Sequence, residues 1–409
     1  MRILYVCHRF PFPPRRGGKI RPYHMIKHLS AAGHRVTVAS LVRSRTEASE
    51  GRGLAGHCAH IEMAQVSATA QLARMVLRLP TLMPSSMGYF YSADLARRIR
   101  TRLAHDRYDL IFVHCSSVAP YVVDVAGIPK ILDFGDMDSQ KWLEYARYKP
   151  FPVSAGYWIE GRKLEYAEKR LARRFDFCTA TTRAEWETLE SYRTGVATDW
   201  FPNGVDTDYF APARAPYDTN RICFVGRMDY YPNQQCMFDF CERVLPRLHA
   251  RNPRVTLTIV GAEPSARVRA LAKLPGVTVT GAVPDVRPYV QGAAVMVAPL
   301  SIARGTQNKI LESMALGVPV ITTRVAARGV DAVPGEHLLV EDDDEGQTQA
   351  VLALLERPAE RARIGEAGRR RVQSHHDWTR SMTKLDSVIE RCLARRTMGR
   401  LAASPCSAA

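Results

Sequence analysis

Short apolar runs rich in β-formers alternate with segments of helical spacing along the whole chain. Arg2–His8 reads as a first strand, and Ile20–Ala32 has the spacing of a helix that stops at Gly33 before a strand over Arg35–Val42. Further strands are predicted at Leu110–His114, Lys130–Phe134, Phe177–Thr181 and Thr198–Phe201. Helices are predicted over Ala93–Ala104, Gln140–Tyr148, Ile159–Arg174 and Ala184–Tyr192. Such alternation argues for a doubly wound parallel sheet. Residues 203–219 break the rhythm with the turn signal Asn203-Gly204 and with Pro212 and Pro216. The pattern then restarts with a strand over Ile222–Val225 and a helix over Gln234–His249. Strands follow at Thr256–Val260, Val277–Thr280 and Ala294–Ala298. The prediction is an α/β protein of two Rossmann-like domains facing across a cleft, residues 1–205 and 206–376. Residues 377–409 form a C-terminal helix, packing back towards the N-terminal domain, and a frayed tail.

Composition narrows the class. The 409 residues suffice for two ordinary cores, and 46% hydrophobic with 24% charged residues is usual for a soluble protein. No apolar run approaches the roughly 20 residues that span a bilayer. The N-terminus turns polar too soon for a signal peptide. Nine scattered cysteines without a C-x-x-C pair suggest neither zinc nor disulfides, and fit a reducing cytoplasm. The net charge of +16 invites anionic partners. Arg97, Arg98, Arg100 and Arg102 form one basic cluster, and Lys169, Arg170, Arg173 and Arg174 another. No basic stretch carries the interleaved aromatics of an RNA-binding motif, so no nucleic-acid partner is expected. Gln71–Tyr91 joins Leu72, Met75, Val76, Leu79, Leu82, Met83, Phe90 and Tyr91 to Arg74 and Arg78. That is either an interfacial anchor for an anionic membrane, a short helix and loop split by Pro80 and Pro84, or a core helix and connector.

The stretch Arg304–Ile321 carries the strongest chemical signal. Its small-residue turn at Gly305 and Thr306 precedes a short helix, whose first amides and positive dipole end suit a diphosphate. Lys309 and Glu312 lie side by side there, a cation for phosphates and a carboxylate for ribose hydroxyls. Phe224-Val225-Gly226-Arg227 ends a strand with an arginine suited to a bidentate phosphate contact. In the first half, Pro13-Pro14-Arg15-Arg16-Gly17-Gly18-Lys19 follows the first strand, and Lys19 and Arg21 could face a phosphate or an acceptor. His114, Asp133 and Asp136 sit at or just past strand ends. Asp136-Met137-Asp138 also matches the short D-x-D pattern that holds metal nucleotides elsewhere. The acidic run Asp342–Asp344 is placed to cap the helix after it.

Several motifs together resemble the retaining glycosyltransferases of family 4 with the GT-B fold. They are Gly33-His34-Arg35-Val36-Thr37-Val38, Pro202-Asn203-Gly204-Val205-Asp206, Val225-Gly226-Arg227 and Lys309-Ile-Leu-Glu312-Ser-Met-Ala-Leu-Gly317-Val-Pro319-Val-Ile. The openings Cys7-His8-Arg9-Phe10-Pro11 and Asp133-x-x-Asp136-x-Asp138-Ser139 are more similar still to the PEP-CTERM/exosortase-associated sugar transferases. The resemblance implies transfer of a sugar, with retention, from a nucleotide-sugar donor to a glycan or polyprenyl-diphosphate-linked acceptor. It implies exopolysaccharide biosynthesis at the cytoplasmic face of the membrane. Arg227, Gly305, Thr306, Lys309 and Glu312 would bind the donor, with fixed charge in place of a metal cofactor. Asp133, Asp136 or His114 would orient the acceptor or shield developing positive charge. Gly17, Gly18 and Lys19 would form an acceptor or phosphate loop. Two positions depart from the family: Arg304 stands where a glutamate is usual, and Tyr231-Pro232-Asn233 where a lysine is usual. The alternatives are a nucleotide-sugar epimerase of the same fold, or a non-catalytic basic scaffold.

Overall fold

The computed structural model describes residues 1–14, 17–213 and 216–403, with side chains to Arg396. Arg15 and Arg16 of the glycine loop lie outside the described residues. The chain divides into two compact units, Met1–Phe201 with the residues from Ser381 on, and Pro202–Arg380. The sequence places these boundaries a few residues further on, at 205, and a few residues earlier, at 376.

The first unit holds seven strands: β1 (Arg2–Cys7), β2 (Arg35–Val42), β3 (His60–Gln65), β4 (Leu110–His114), β5 (Lys130–Asp133), β6 (Phe177–Ala180) and β7 (Ala197–Trp200). Their order, β3-β2-β1-β4-β5-β6-β7, is that of a doubly wound sheet, and every pairing is parallel. Helices cover both faces, so β1 and β4 read as continuous apolar runs and are buried throughout their centres. Tyr5 and Phe112 stack at 5.2 Å on neighbouring strands. The edge strand β3 escapes the sequence reading because His60, Glu62 and Gln65 leave it without an apolar run.

The first helix spans Gly17–Ala31 and closes as predicted at Gly33, which takes φ +79° while His34 N–H donates to Leu29 O at 3.0 Å. The second unit holds β8 (Asp218–Val225), β9 (Thr256–Val260), β10 (Val277–Gly281), β11 (Ala293–Ala298), β12 (Val320–Thr322) and β13 (Leu339–Val340). These six form another parallel sheet, ordered β10-β9-β8-β11-β12-β13. The helix expected over Gln234–His249 is broken into Tyr231–Asp239, a π turn over Phe240–Val244 and Leu245–Arg251. Pro246 lacks the N–H that a continuous helix needs there. Asp343 caps the Asp344–Glu356 helix, accepting from Gly346 N–H at 2.7 Å.

The Trp378–Ala403 helix belongs to the first unit from Ser381 on. Leu385, Val388, Ile389 and Cys392 bury its inner face. Asp386 meets His28 at 2.9 Å, and Arg396 meets Asp176 at 3.0 Å.

Three expectations need correction. Arg97 and Arg98 pair with Asp94, and Arg98 and Arg102 with Glu62, so most of that basic cluster is neutralised locally. Lys169 likewise pairs with Glu165 at 2.7 Å, and Arg174 with Asp124 at 2.9 Å. Arg21 faces no solvent and so no acceptor. Its guanidinium grips Asp133 through two bonds of 2.9 and 3.0 Å, donates to Phe201 O at 2.9 Å and lies 3.8 Å over the Phe201 ring. Asp133 is wholly buried and also accepts from Thr179 at 2.9 Å and His114 at 2.7 Å. It cannot touch a substrate, and the role expected of it passes to what it positions. Burial would raise this carboxyl's pKa, but the Arg21 charge and then His114 hold it well below the carboxylate range.

Asp133→Ala is expected to lower stability by about 3–5 kcal/mol, because it strands a buried guanidinium. The double change Arg21→Met with Asp133→Leu should cost far less in denaturant unfolding. Normal stability for Asp133→Ala would show that the pair does not hold the sheet. A second expectation concerns pH. His376 is buried, accepts from Asp331 N–H at 3.1 Å and faces Asn203 O at 3.3 Å. Burial pushes its pKa down to about 4, so the folded chain keeps it neutral. The unfolded chain, with the ordinary value near 6.5, binds the proton first as pH falls. Stability should therefore drop by about 3 kcal/mol between pH 6.5 and 4 through this group. In thermal melts across that range, His376→Gln should show a visibly shallower dependence than the native chain.

Candidate functional site

In an open parallel sheet, residues meant for ligands collect beyond the carboxyl ends of the strands. In the first unit, that edge brings together His8 and Arg9 after β1, His114 ending β4, and Asp136 after β5. The Asp133 contact fixes the His114 ring, because Nδ1 must carry the proton donated to that carboxylate. The His8 ring lies 5.8 Å from the His114 ring, and its Nδ1 is buried without a partner among the described residues. Burial, then the His114, Arg9 and Arg43 charges, push the His8 pKa well down. Asp136 is exposed, and Asp138 opens the Asp138–Tyr148 helix. The surrounding protein mass raises both carboxyl pKa values, and Lys141 opposes it.

A cavity of about 370 Å³ opens beside this group, lined by His8, Arg9, Lys19, Arg43, Glu47 and Phe90 among others. Lys19 does reach it, with its ammonium already bonded to Glu47 at 2.6 Å and Phe12 O at 3.4 Å. Gly17 and Gly18 start the first helix, exposed to solvent. A Cβ at Gly18 would meet Arg9 Cδ at 3.6 Å and His8 Nε2 at 3.9 Å, both ordinary contacts, so no close approach forces glycine there. Arg43 and Glu47 escape a sequence reading because they stand beyond β2, with no motif around them. In the sequence His8 stands as the end of the predicted first strand and within the Cys7–Pro11 opening, with no role given to it.

In the second unit, β8 runs into Gly226 and Arg227, and the Asn308–Ala315 helix follows the Gly305 turn. Asn233 joins the two, its amide donating to Arg227 O at 2.8 Å and its carbonyl accepting from Lys309 Nζ at 2.5 Å. It stands in the stretch where the resemblance leads one to expect lysine. A Cβ at Gly226 would lie 2.7 Å from Asn233 Nδ2 and 3.0 Å from Lys309 Nζ, so only glycine lets the ammonium sit against the strand end. Lys309 Nζ also lies 4.5 Å over the Phe224 ring. Lys309 is thus half-buried and held by Asn233, the contact that the sequence did not show.

Burial lowers the Lys309 pKa to about 8 and raises that of Glu312 to about 7. Each feels the other's charge, but no hydrogen bond joins them. Gly305 takes φ +62°, and its carbonyl sits where a Cβ on Gly329 would be, 2.1 Å away. Beside it, Thr306 Oγ1 and Asn308 Oδ1 are buried with no partner among the described residues. A ligand offering donors and acceptors would satisfy them. Arg227 reaches the same edge, but Asp229 holds it at 2.7 and 3.0 Å and Glu263 also contacts it. The bond to Asp229, more than any other contact, raises its pKa. A phosphate must therefore compete with carboxylates for this guanidinium. Arg304 stands at the turn, its carbonyl accepting from Gln307 Nε2 at 3.0 Å.

Two family models match the chain in succession. Residues 16–209 match "Glycosyltransferase Family 4", and residues 219–357 match "Glycosyl transferases group 1". The chain is 29% identical to the D-inositol 3-phosphate glycosyltransferase of an Arthrobacter strain over 69% of its own length and 70% of that relative's. It is 26% identical to glycogen synthase of Mycobacterium tuberculosis over 92% of each. Among solved structures it resembles sucrose-phosphate synthase from Thermosynechococcus elongatus, with TM-score 0.70, 17% identity, and 97% and 100% of the two chains covered. It also resembles Anabaena HepE in complex with UDP-glucose, with TM-score 0.67, 15% identity, and 96% and 100% covered. With two parallel-sheet units of the GT-B kind and both transferase models matched in order, the chain is a GT-B glycosyltransferase.

Proposed function

We propose that the second unit binds a nucleoside-diphosphate sugar and that the chain transfers its sugar, with retention, to a glycan or polyprenyl-diphosphate-linked acceptor. The observation that carries the reading is the Lys309 ammonium, held by Asn233 beside the unsatisfied Thr306 Oγ1 and Asn308 Oδ1. A fixed cation and the Thr306 hydroxyl at one helix start suit a diphosphate better than any apolar ligand, and Asn308 Oδ1, which only accepts, suits a hydroxyl of the ribose or sugar. The UDP and UDP-glucose complexes of a structurally similar protein support this donor class.

As the bond from sugar to diphosphate breaks, negative charge grows on the leaving phosphate. Lys309 and the amides after Gly305 would stabilise that charge without reorganising, and Arg227 would join them on release from Asp229. Glu312 would accept from ribose hydroxyls. In the first unit Asp136 is the exposed carboxylate, and His114, fixed by Asp133, is the neighbouring donor or acceptor; both would serve the acceptor side. Fixed cations take the place of a metal in this scheme. Exopolysaccharide assembly on the cytoplasmic side is the proposed setting. An epimerase of the same fold would alter the sugar of the donor without an acceptor, so donor-only incubation separates the two.

Lys309→Ala should lower kcat/KM by about 2–4 kcal/mol of transition-state stabilisation. It should also lower stability by about 1 kcal/mol, since Asn233 Oδ1 loses its partner. Native kinetics for this variant would remove Lys309 from the donor site. The ammonium is charged below a pKa of about 8, so kcat/KM should fall as pH rises through that value. Lys309→Arg should abolish that alkaline limb, because guanidinium stays charged. Adding EDTA should leave turnover unchanged; loss of turnover restored by a divalent cation would return Asp136 and Asp138 as metal ligands.

A further inference from the structure

Two stretches of the first unit, distant in sequence, expose large apolar side chains side by side. The Ala68–Arg78 helix is tied down by Gln71, whose amide donates to Tyr89 O at 2.8 Å, and turns Leu72, Val76 and Leu77 outward. The loop after it carries Leu82, 80% exposed. The Val153–Ala172 helix and the turn before it present Phe151, 83% exposed, and Trp158, 55% exposed. Lys163 of that helix donates to Leu79 O at 2.8 Å, and Glu160 accepts from Ser85 N–H at 3.0 Å and Ser86 N–H at 2.8 Å. These bonds stitch the loop along the helix, so the exposed residues form one surface. These six are among twenty exposed large apolar side chains of the described residues, a concentration that marks an interaction surface.

The charge on this surface is predominantly basic. No aspartate or glutamate occurs between Val66 and Ala93, where Arg74 and Arg78 stand. Between Tyr145 and Lys163 the one acidic residue is Glu160, buried under Ser85 and Ser86, whereas Arg147, Lys149, Arg162 and Lys163 are basic, Arg162 being paired with Glu165 at 2.6 Å. A second copy of the chain would bring like charges together. An anionic bilayer would accept the apolar and aromatic groups into its interfacial zone and pair its headgroups with the rim. No helix among the described residues is long and apolar enough to cross a membrane, so the contact lies in the interface.

We propose that this face, formed by the Ala68–Arg78 helix, its following loop and the start of the Val153–Ala172 helix, docks onto an anionic lipid surface. It differs from the sequence expectation in its second element and in its cations: the Arg97–Arg102 cluster, bound to Asp94 and Glu62, takes no part. The assignment does not depend on which sugar is transferred.

Flotation of the full chain with vesicles of phosphatidylcholine, alone or mixed with phosphatidylglycerol, tests it. The chain should float with the anionic vesicles only, and less as salt rises. Phe151→Ser and Leu82→Ser should each weaken partitioning about tenfold, since each removes one buried apolar side chain. Replacing Arg74 and Arg147 with Gln should weaken it too, and replacing Arg97 and Arg98 should not. Brominated lipid should quench Trp158, with the quenching lost in Trp158→Phe. Melting temperatures equal to the native chain's would show that the exposed changes leave the fold intact. Absence of flotation, equal flotation on both vesicles, or dependence on Arg97 and Arg98 would each overturn the proposal. So would variants that split a dimer in sedimentation without changing flotation, because that face would then belong to a second copy.

Discussion

Parallel pairing in both sheets is the constraint from which the rest follows. When every strand runs the same way, every strand ends at the same edge, and the loops that leave it are the only places where polar side chains can meet a ligand. In the first unit the ends of β1, β4 and β5 gather His8, His114 and Asp133 with the following Asp136. In the second, the end of β8 and the turn before the Asn308–Ala315 helix gather Gly226, Arg227, Asn233 and Lys309. The sheets also bury these edges deeply enough that a charge there must be paired or neutralised. Arg21 and Asp133 meet that demand as a two-bond ion pair that also fixes His114. Lys309 meets it with one amide, one ring face and a lowered pKa, which leaves an ammonium poised for an anion.

What the sequence made legible depended on distance along the chain. Strands with continuous apolar runs, such as Arg35–Val42, Leu110–His114 and Thr256–Val260, stand where the pattern put them. Local devices were equally readable: Gly33 ends its helix with positive φ, and Asp343 caps the Asp344–Glu356 helix. The polar edge strand β3 was not, because it lacks a run, and the helix expected over Gln234–His249 passed over the local signal of Pro246.

Site residues divide along the same line. Lys309, Gly305 and Gly226 are adjacent to motifs and were legible as a group. Asn233 was not, since its role appears only when it is seen bridging Arg227 and a lysine 76 residues away. Asp133 looked like an acceptor-facing carboxylate because its partner Arg21 is 112 residues distant. Burial reassigns it from touching the acceptor to positioning His114. Charge counting misled in the same way: Arg98 and Arg102 are basic in the sequence and paired with Glu62 in the fold, while Arg74, Arg78 and Arg147 border an apolar surface whose acidic residue Glu160 is buried.

The central claim is that the Lys309 ammonium, pinned by Asn233 under Gly226, is the anion-binding group of the donor site. Calorimetric titration of the chain and of Lys309→Ala with nucleoside diphosphates tests it most directly. The account predicts that at least one diphosphate binds the native chain, releasing or taking up protons near pH 8, and binds the variant at least about tenfold more weakly. Equal affinity for both proteins, or no binding of any nucleoside diphosphate to the folded native chain, would contradict it.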